Sequence, residues 1–301
     1  RPQQVELARA VDAAITGGNG AAATALAAEG PCGTGKSVAY LAPAILHGVR
    51  RSLRTLVVTA NNALLEQLLR KDLPTLAEVL RPALPRPFTF AGLMGRGQYL
   101  CLNAAGGSAG TATEPISDRD ALDLARIDRW ADVTETGERA ELTPGVSDAA
   151  WSLRSVTSDD CLRDGCPRRD TCFAYAAHDI AAAADVVVTN VALLLMHLRV
   201  AGETGRATIL PRFDVLVIDE AHELPDKARE ALGLDFGRGS FGRLARWLRK
   251  EAGEPEIAER IDDAADELFA AALARIPMPN GRPAQGTERV VLAEPEWFDP
   301  G

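Results

Sequence analysis

Gly30, Pro31, Cys32, Gly33, Thr34, Gly35, Lys36 and Ser37 satisfy the G-x-x-x-x-G-K-S/T pattern of a phosphate-binding loop. Glycines at these spacings let successive backbone N–H groups point inward at a phosphate chain, and a following helix adds the positive end of its dipole. Lys36 is placed to meet the terminal phosphates of ATP, and Ser37 to ligate Mg²⁺. A second group stands far along the chain, where Asp219, Glu220, Ala221 and His222 follow an apolar run. At the end of a parallel strand, Asp219 would hold the Mg²⁺ through water and Glu220 would polarise an attacking water. The two motifs together indicate nucleotide hydrolysis.

Cysteines make the third group. Four of the five follow the pattern C-x59-C-x4-C-x5-C, at Cys101, Cys161, Cys166 and Cys172, and His178 lies close enough to be a fifth candidate ligand. Structural zinc sites favour tight C-x2-C knuckles, and none is present. Four thiolates at wider spacing suit an iron–sulfur cube as well or better. From spacing alone, zinc, an iron–sulfur cluster and unrelated buried thiols all remain open. An odd cysteine count in a chain of 301 residues does not fit a disulfide scaffold, so a reducing interior is expected.

The elements that must position these groups can be read from periodicity. Apolar positions at helical spacing predict a helix over 3–15, and Gly17, Gly18 and Gly20 end it. A short apolar strand over 23–28 leads into the glycine-rich loop, and a helix follows over 37–46. The β-branched run 55–59 is apolar on both faces, as in a buried parallel strand, and Asn61 or Asn62 caps the next helix. Prolines at 82, 85 and 87 and a small-residue stretch make 74–118 read as loop, followed by an acidic helix over 118–131. Alternation returns with a helix over 173–183, a strand over 185–189, a helix over 191–198 and a strand over 213–219. Helices are expected over 241–250 and 256–274, and 277–301 shows no clear structure.

The expected fold class is α/β, a P-loop NTPase domain on a parallel sheet. It is divided into 1–93 with 174–226, an insertion over 94–173 and a helical part over 227–301. The insertion is Gly-rich and acidic, so metal ligation is expected to supply much of its folding free energy.

Composition narrows the function classes. Hydrophobic residues make up 47% and charged residues 25%, ordinary globular usage that excludes wholesale disorder. No apolar run reaches the ~18–20 residues that cross a bilayer. The net charge of −9 argues against coating nucleic acid by bulk attraction, although residues 1–113 are net basic and the rest is net acidic. A first residue of Arg1 indicates trimming or processing.

The phosphate loop, TLVVTANNALLEQLLRKDLP at 55–74, GRGQYLCL at 95–102, the C-x4-C-x5-CF group, ADVVVTNVALLL at 184–195 and LPRFDVLVIDEAHEL at 210–224 occur in one order. Together they resemble the first motor domain of the DinG/XPD family of iron–sulfur DNA helicases of superfamily 2, and the long first cysteine gap is similar to the bacterial DinG branch. The resemblance implies a RecA-like ATPase domain, an inserted 4Fe-4S domain ligated by Cys101, Cys161, Cys166 and Cys172, and the start of a helical Arch-like domain. It implies that Gln4 contacts adenine, that Thr59 and Asn61 grip the DNA backbone, and that His222 relays nucleotide state toward DNA.

The implied activity is ATP-dependent 5′-to-3′ translocation on single-stranded DNA with unwinding of duplexes or RNA–DNA hybrids. The protein is expected to be a monomer in the bacterial cytoplasm, associated with the nucleoid. Among the aromatic residues near the cluster, Tyr99, Trp130, Trp151, Phe173 and Tyr175 are candidates for stacking on bases.

Two positions depart from the family pattern: Cys32 stands where Thr or Ser is usual, and Val191 follows Asn190 where His is common. No second motor domain with an arginine finger follows Leu224. Such a finger is worth on the order of 10³–10⁵ in rate, so the chain by itself is expected to bind nucleotide and hydrolyse it slowly. The alternative from another class is a non-motor nucleotide-binding module with a structural metal.

Overall fold

The computed structural model describes residues 2–17, 24–30, 35–105, 117–206, 209–232 and 238–274. Contacts divide the chain into two units, 1–233 and 234–301.

The first unit is built on a four-stranded, all-parallel sheet in the order β2-β3-β1-β4, with β1 Thr55–Thr59, β2 Phe90–Gly92, β3 Val186–Asn190 and β4 Val215–Ile218. The pairing of Thr55 with both Val186 and Val215 sets three strand ends level, so β1, β3 and β4 reach their C-terminal ends together. Side-chain alternation sends Val57, Val186 and Val188 to one face. There they pack with Leu41, Ile45 and Val49 of α2 (Lys36–Arg51) and with Leu73 and Leu76 of α4 (Leu73–Leu80). Leu56, Val58 and Val187 face the other way, onto Ala181 of α7 (Phe173–Ala183) and onto Val191 and Leu194 of α8 (Val191–Thr204). Both faces are covered, which is why these strands read as continuous apolar runs.

The helices start where their side chains cap them. Asn61 Oδ1 accepts from Leu64 N–H at 3.0 Å to open α3 (Asn62–Gln67), and Asn190 Oδ1 accepts from Leu193 N–H at 2.9 Å to open α8. At the N-terminal edge of the sheet, Arg54 donates to the carbonyls of Ala182, Ala184 and Arg212. Asp185 beside it accepts from both guanidinium nitrogens of Arg86 and from Thr89 N–H. These bonds hold the Asp185 carboxyl below the ordinary carboxylate range, the Arg86 bond most of all.

Two expectations from the sequence are corrected. Residues 24–30 form no strand: they run irregular and largely exposed, and β4 ends the sheet on that side among the described residues. Alanines at 25, 27 and 28 offer little side chain to pack, so the pattern lacks the bulk that holds a strand on a sheet. The stretch read as loop over 74–118 contains α4 and β2. Pro74 follows a π-helical turn over Leu68–Asp72 that runs without a break into α4, so the helix continues through a proline that the sequence reads as a stop. β2 has three residues and is too short to display a period.

The region between β2 and α7 carries α5 (Asp118–Ala131) and α6 (Asp148–Ser152), and it has its own apolar core. Leu100, Leu124, Ile127, Leu142, Val146, Ala150 and Trp151 are all buried together, with Trp130 and Phe173 against them. Trp151 Nε1 donates to the Gly97 carbonyl at 2.6 Å, and Arg154 pairs with Asp128 through two nitrogens. Gly137, at φ +66, lies so close to the Phe173 ring that a Cβ there would meet it at 2.4 Å. This packing gives the region a core of its own despite its Gly-rich and acidic composition. Asp118 and Asp128 of α5 are exposed, while Leu124 and Ile127 are buried together with Asp123, whose carboxylate accepts from Arg126 and from Ser147 N–H.

α9 (Leu224–Leu232) closes the first unit. In the second, α10 (Arg238–Trp247) and α11 (Pro255–Ala274) pair with Ala245, Ala258 and Ala265 buried and the rings of Phe241 and Phe269 edge to face. No helix among the described residues is long and apolar enough to cross a membrane.

Candidate functional site

The C-terminal ends of β1, β3 and β4 and the start of α2 bring the two nucleotide motifs to one place. Lys36 Nζ lies 2.9 Å from Glu220 Oε1, although the residues are 184 positions apart. Both side chains keep about a quarter of their surface exposed, at 26% each. His222 Nδ1 stands 3.4 Å from the other oxygen of Glu220, on a largely exposed ring. Glu220 itself has φ 51 and ψ 44, a left-handed conformation uncommon outside glycine that marks a position held by its surroundings.

Asp219 follows β4 directly. Its Oδ1 accepts from Glu220 N–H at 3.0 Å and its Oδ2 accepts from the Tyr40 hydroxyl at 3.0 Å. Burial pushes the Tyr40 phenol far above its ordinary value, and the nearby Asp219 charge pushes the same way, so it remains a neutral donor. Gln4 of α1 (Pro2–Gly17) donates from Nε2 to the Gly35 carbonyl at 3.2 Å. Gly35 has φ +83, a left-handed conformation that favours glycine, and a Cβ there would displace the Gln4 amide, 2.5 Å away.

Gly30, Lys36, Tyr40, Asp219, Glu220 and His222 all line one open cavity of about 1,200 Å³, whose apolar wall includes Leu7 and Val11 of α1. A cation, a carboxylate pair, a backbone carbonyl and an apolar wall suit a phosphate-bearing ligand with a planar ring. Pro31, Cys32, Gly33 and Thr34 lie outside the described residues.

Thr59 and Asn61 stand on the same sheet end with different roles. Thr59 is fully buried, and its hydroxyl lies within bonding distance of the carbonyls of Asn61, at 3.0 Å, and Thr189, at 3.3 Å. In this structure the Thr59 hydroxyl fixes the loop. Asn61 is exposed and caps α3 through its oxygen. Asn190 reaches across to Asn62 through a 2.9 Å bond and ties the two loops together. Val191, which departs from the family pattern, is a core residue.

Cys101, Cys161, Cys166 and Cys172 are free and half-buried. Among the described residues, no three Cys, His, Asp or Glu side chains converge in an arrangement that could hold a metal ion. The side-chain placement as it stands does not fit a cluster. The local donors do resemble a thiolate site at one cysteine, where Cys161 Sγ accepts from Arg163 N–H at 3.4 Å and from Arg96 Nη1 at 3.7 Å. Tight turns at Arg163–Gly165 and Arg169–Thr171 precede Cys166 and Cys172.

Tyr99 and Trp151 are core residues, and burial pushes the Tyr99 phenol up to about 12. Tyr175 is held between Arg96 and Arg169, whose guanidinium carbons lie 4.4 and 3.3 Å from its ring centre. Sequence reasoning missed Tyr40 and Arg96. Tyr40 had a signal, since it stands one helical turn beyond Lys36 on the face that Ser37 shares; Arg96 had none beyond its place in GRGQYLCL.

No family model matches the chain. Among curated proteins it is 36% identical over 287 residues to the "ATP-dependent helicase DinG" of Mycobacterium tuberculosis, covering 91% of this chain and 41% of that protein. It is 32% identical over 299 residues to the "ATP-dependent DNA helicase YoaA" of Escherichia coli, covering 98% and 44%. It is 33% identical over 239 residues to the "ATP-dependent DNA helicase DinG" of Salmonella choleraesuis, covering 74% and 31%. The chain spans less than half the length of the curated relatives it matches.

Proposed function

Because the chain belongs by sequence to the DinG-like helicases, we propose that it is the nucleotide-binding portion of an ATP-dependent DNA helicase. The observation that carries this reading is the convergence of Lys36, Asp219 and Glu220 on one cavity at the C-terminal end of a parallel sheet, where α/β folds bind their ligands. The residues present suit Mg²⁺·ATP. The cation would offset the charge that builds on the transferred phosphoryl group. Lys36 would exchange Glu220 for the terminal phosphates, Ser37 and Asp219 would hold the metal, and Glu220 would orient the water. Gln4 is placed beside the loop, where its amide can meet a base edge, and His222 faces outward from Glu220, positioned to report nucleotide state.

The sheet is that of a RecA-like domain in this reading, formed by 1–93 with 174–226. Residues 94–173 make an inserted domain and 227–301 the start of an Arch-like domain. The insertion would carry a 4Fe-4S cluster on Cys101, Cys161, Cys166 and Cys172, whose thiols would have to draw together from the placement described above; its support is the spacing and the free, half-buried state of all four thiols. The substrate would be single-stranded DNA entering a duplex or an RNA–DNA hybrid, traversed 5′ to 3′ by a monomer in the cytoplasm, with Asn61 on the backbone and Thr59 supporting it from below.

Lys36→Ala tests the core of the proposal. The expected result is loss of ATP binding by this chain and of DNA-stimulated turnover by the full-length protein, with a melting temperature lowered by no more than about 4 °C. Unchanged ATP affinity would refute it. Iron and zinc analysis of anaerobically purified protein tests the cluster: about four irons per chain support it, and stoichiometric zinc refutes it.

A further inference from the structure

We propose that Tyr40 is a positioning residue of the nucleotide site, a buried phenol that orients the Asp219 carboxylate toward the metal it is read to hold. Its hydroxyl donates to Asp219 Oδ2 at 3.0 Å. The second oxygen of Asp219 is held by Glu220 N–H, so the carboxylate is fixed at both ends. The ring is 7% exposed and packs with Leu41, Val57 and Val186, on the face of the sheet that α2 covers. The sheet core therefore fixes the phenol oxygen, and through it the carboxylate orientation, before any ligand arrives.

The inference rests on the reading that Ser37 and Asp219 hold Mg²⁺, and the test separates the two. Binding of fluorescent ADP to the full chain is measured across an Mg²⁺ titration and again in EDTA, for the unmodified protein, Tyr40→Phe and Asp219→Asn. Tyr40→Phe keeps the packed ring and removes only the oxygen. It is expected to need about five- to tenfold more Mg²⁺ for half-saturation, the scale of one ordinary net hydrogen bond, with ADP affinity in EDTA unchanged. An Mg²⁺ requirement equal to that of the unmodified protein, while Asp219→Asn loses its metal dependence, overturns the role of Tyr40 and leaves the metal site standing. Normal metal dependence in Asp219→Asn overturns the metal site, and the proposal with it. Loss of ADP affinity in EDTA by a Tyr40→Phe protein that melts normally assigns Tyr40 to the shape of the loop and also overturns the proposal. Tyr40→Met, which fills the same space without a hydroxyl, repeats the test should the Phe variant not fold.

Discussion

The Lys36–Glu220 ion pair makes a prediction that runs against simple intuition about a hydrolytic carboxylate. Without ligand, the residue meant to activate water holds the residue meant to bind phosphate, at 2.9 Å. Nucleotide must break this pair before Lys36 can serve it, so removing the charge of Glu220 should tighten nucleotide binding. Unscreened attraction at that distance and an effective dielectric of about 20 is roughly 6 kcal/mol, but desolvation cancels most of it. At 26% exposure for each side chain, a net worth of about 1 kcal/mol is reasonable, between an exposed pair and a buried one. That corresponds to about fivefold in affinity. Glu220→Gln and Glu220→Ala are therefore expected to bind ADP about fivefold more tightly than the unmodified chain, by fluorescence titration. ADP is the informative ligand, because relief of repulsion between Glu220 and a γ-phosphate would tighten ATP alone. If both variants gain for ATP and not for ADP, or if ADP binding weakens, the latch is refuted.

Other outcomes follow from the packing. Ile127→Ala is expected to cost about 2–4 kcal/mol and to open the insertion to protease, whereas Cys161→Ser in metal-free protein leaves α5 and α6 protected, as limited proteolysis with mass spectrometry would show. Asp185→Asn loses the charge that Arg86 and Thr89 bind and should cost about 1–3 kcal/mol in urea unfolding. Because the folded Asp185 titrates below its unfolded value, this difference persists at neutral pH and fades as pH falls through the folded pKa. His197 is 5% exposed and its Nδ1 accepts from Leu210 N–H at 3.0 Å, and burial holds its pKa below the ordinary value. Its unfolded form gains a proton first, so stability is full above about pH 6.5 and declines as pH drops below it. His197→Gln should flatten that decline in melts between pH 5 and 7.

The sequence by itself determined the local grammar of this protein. β1 and the acidic helix α5 lie at the residues periodicity indicated, and Asn61 caps the helix expected of it, because a cap and a 3.6-residue period are set within a few neighbours. The phosphate loop and the Asp219–His222 group were legible for the same reason, since each motif is contiguous. The tertiary structure alone decided what those neighbours meet. That Lys36 is held by Glu220 across 184 residues, and that Asp219 is held by a tyrosine of α2, follows from the register that sets the ends of β1 and β4 level. Thr59 has the residue type of a phosphate contact, yet the sheet places it between two loops with its hydroxyl spent on carbonyls. The insertion reads as polar because its apolar residues, from Leu100 to Trp151, are scattered over some fifty positions. Only folding brings them together, since burial depends on distance in space, which spacing along the chain does not record.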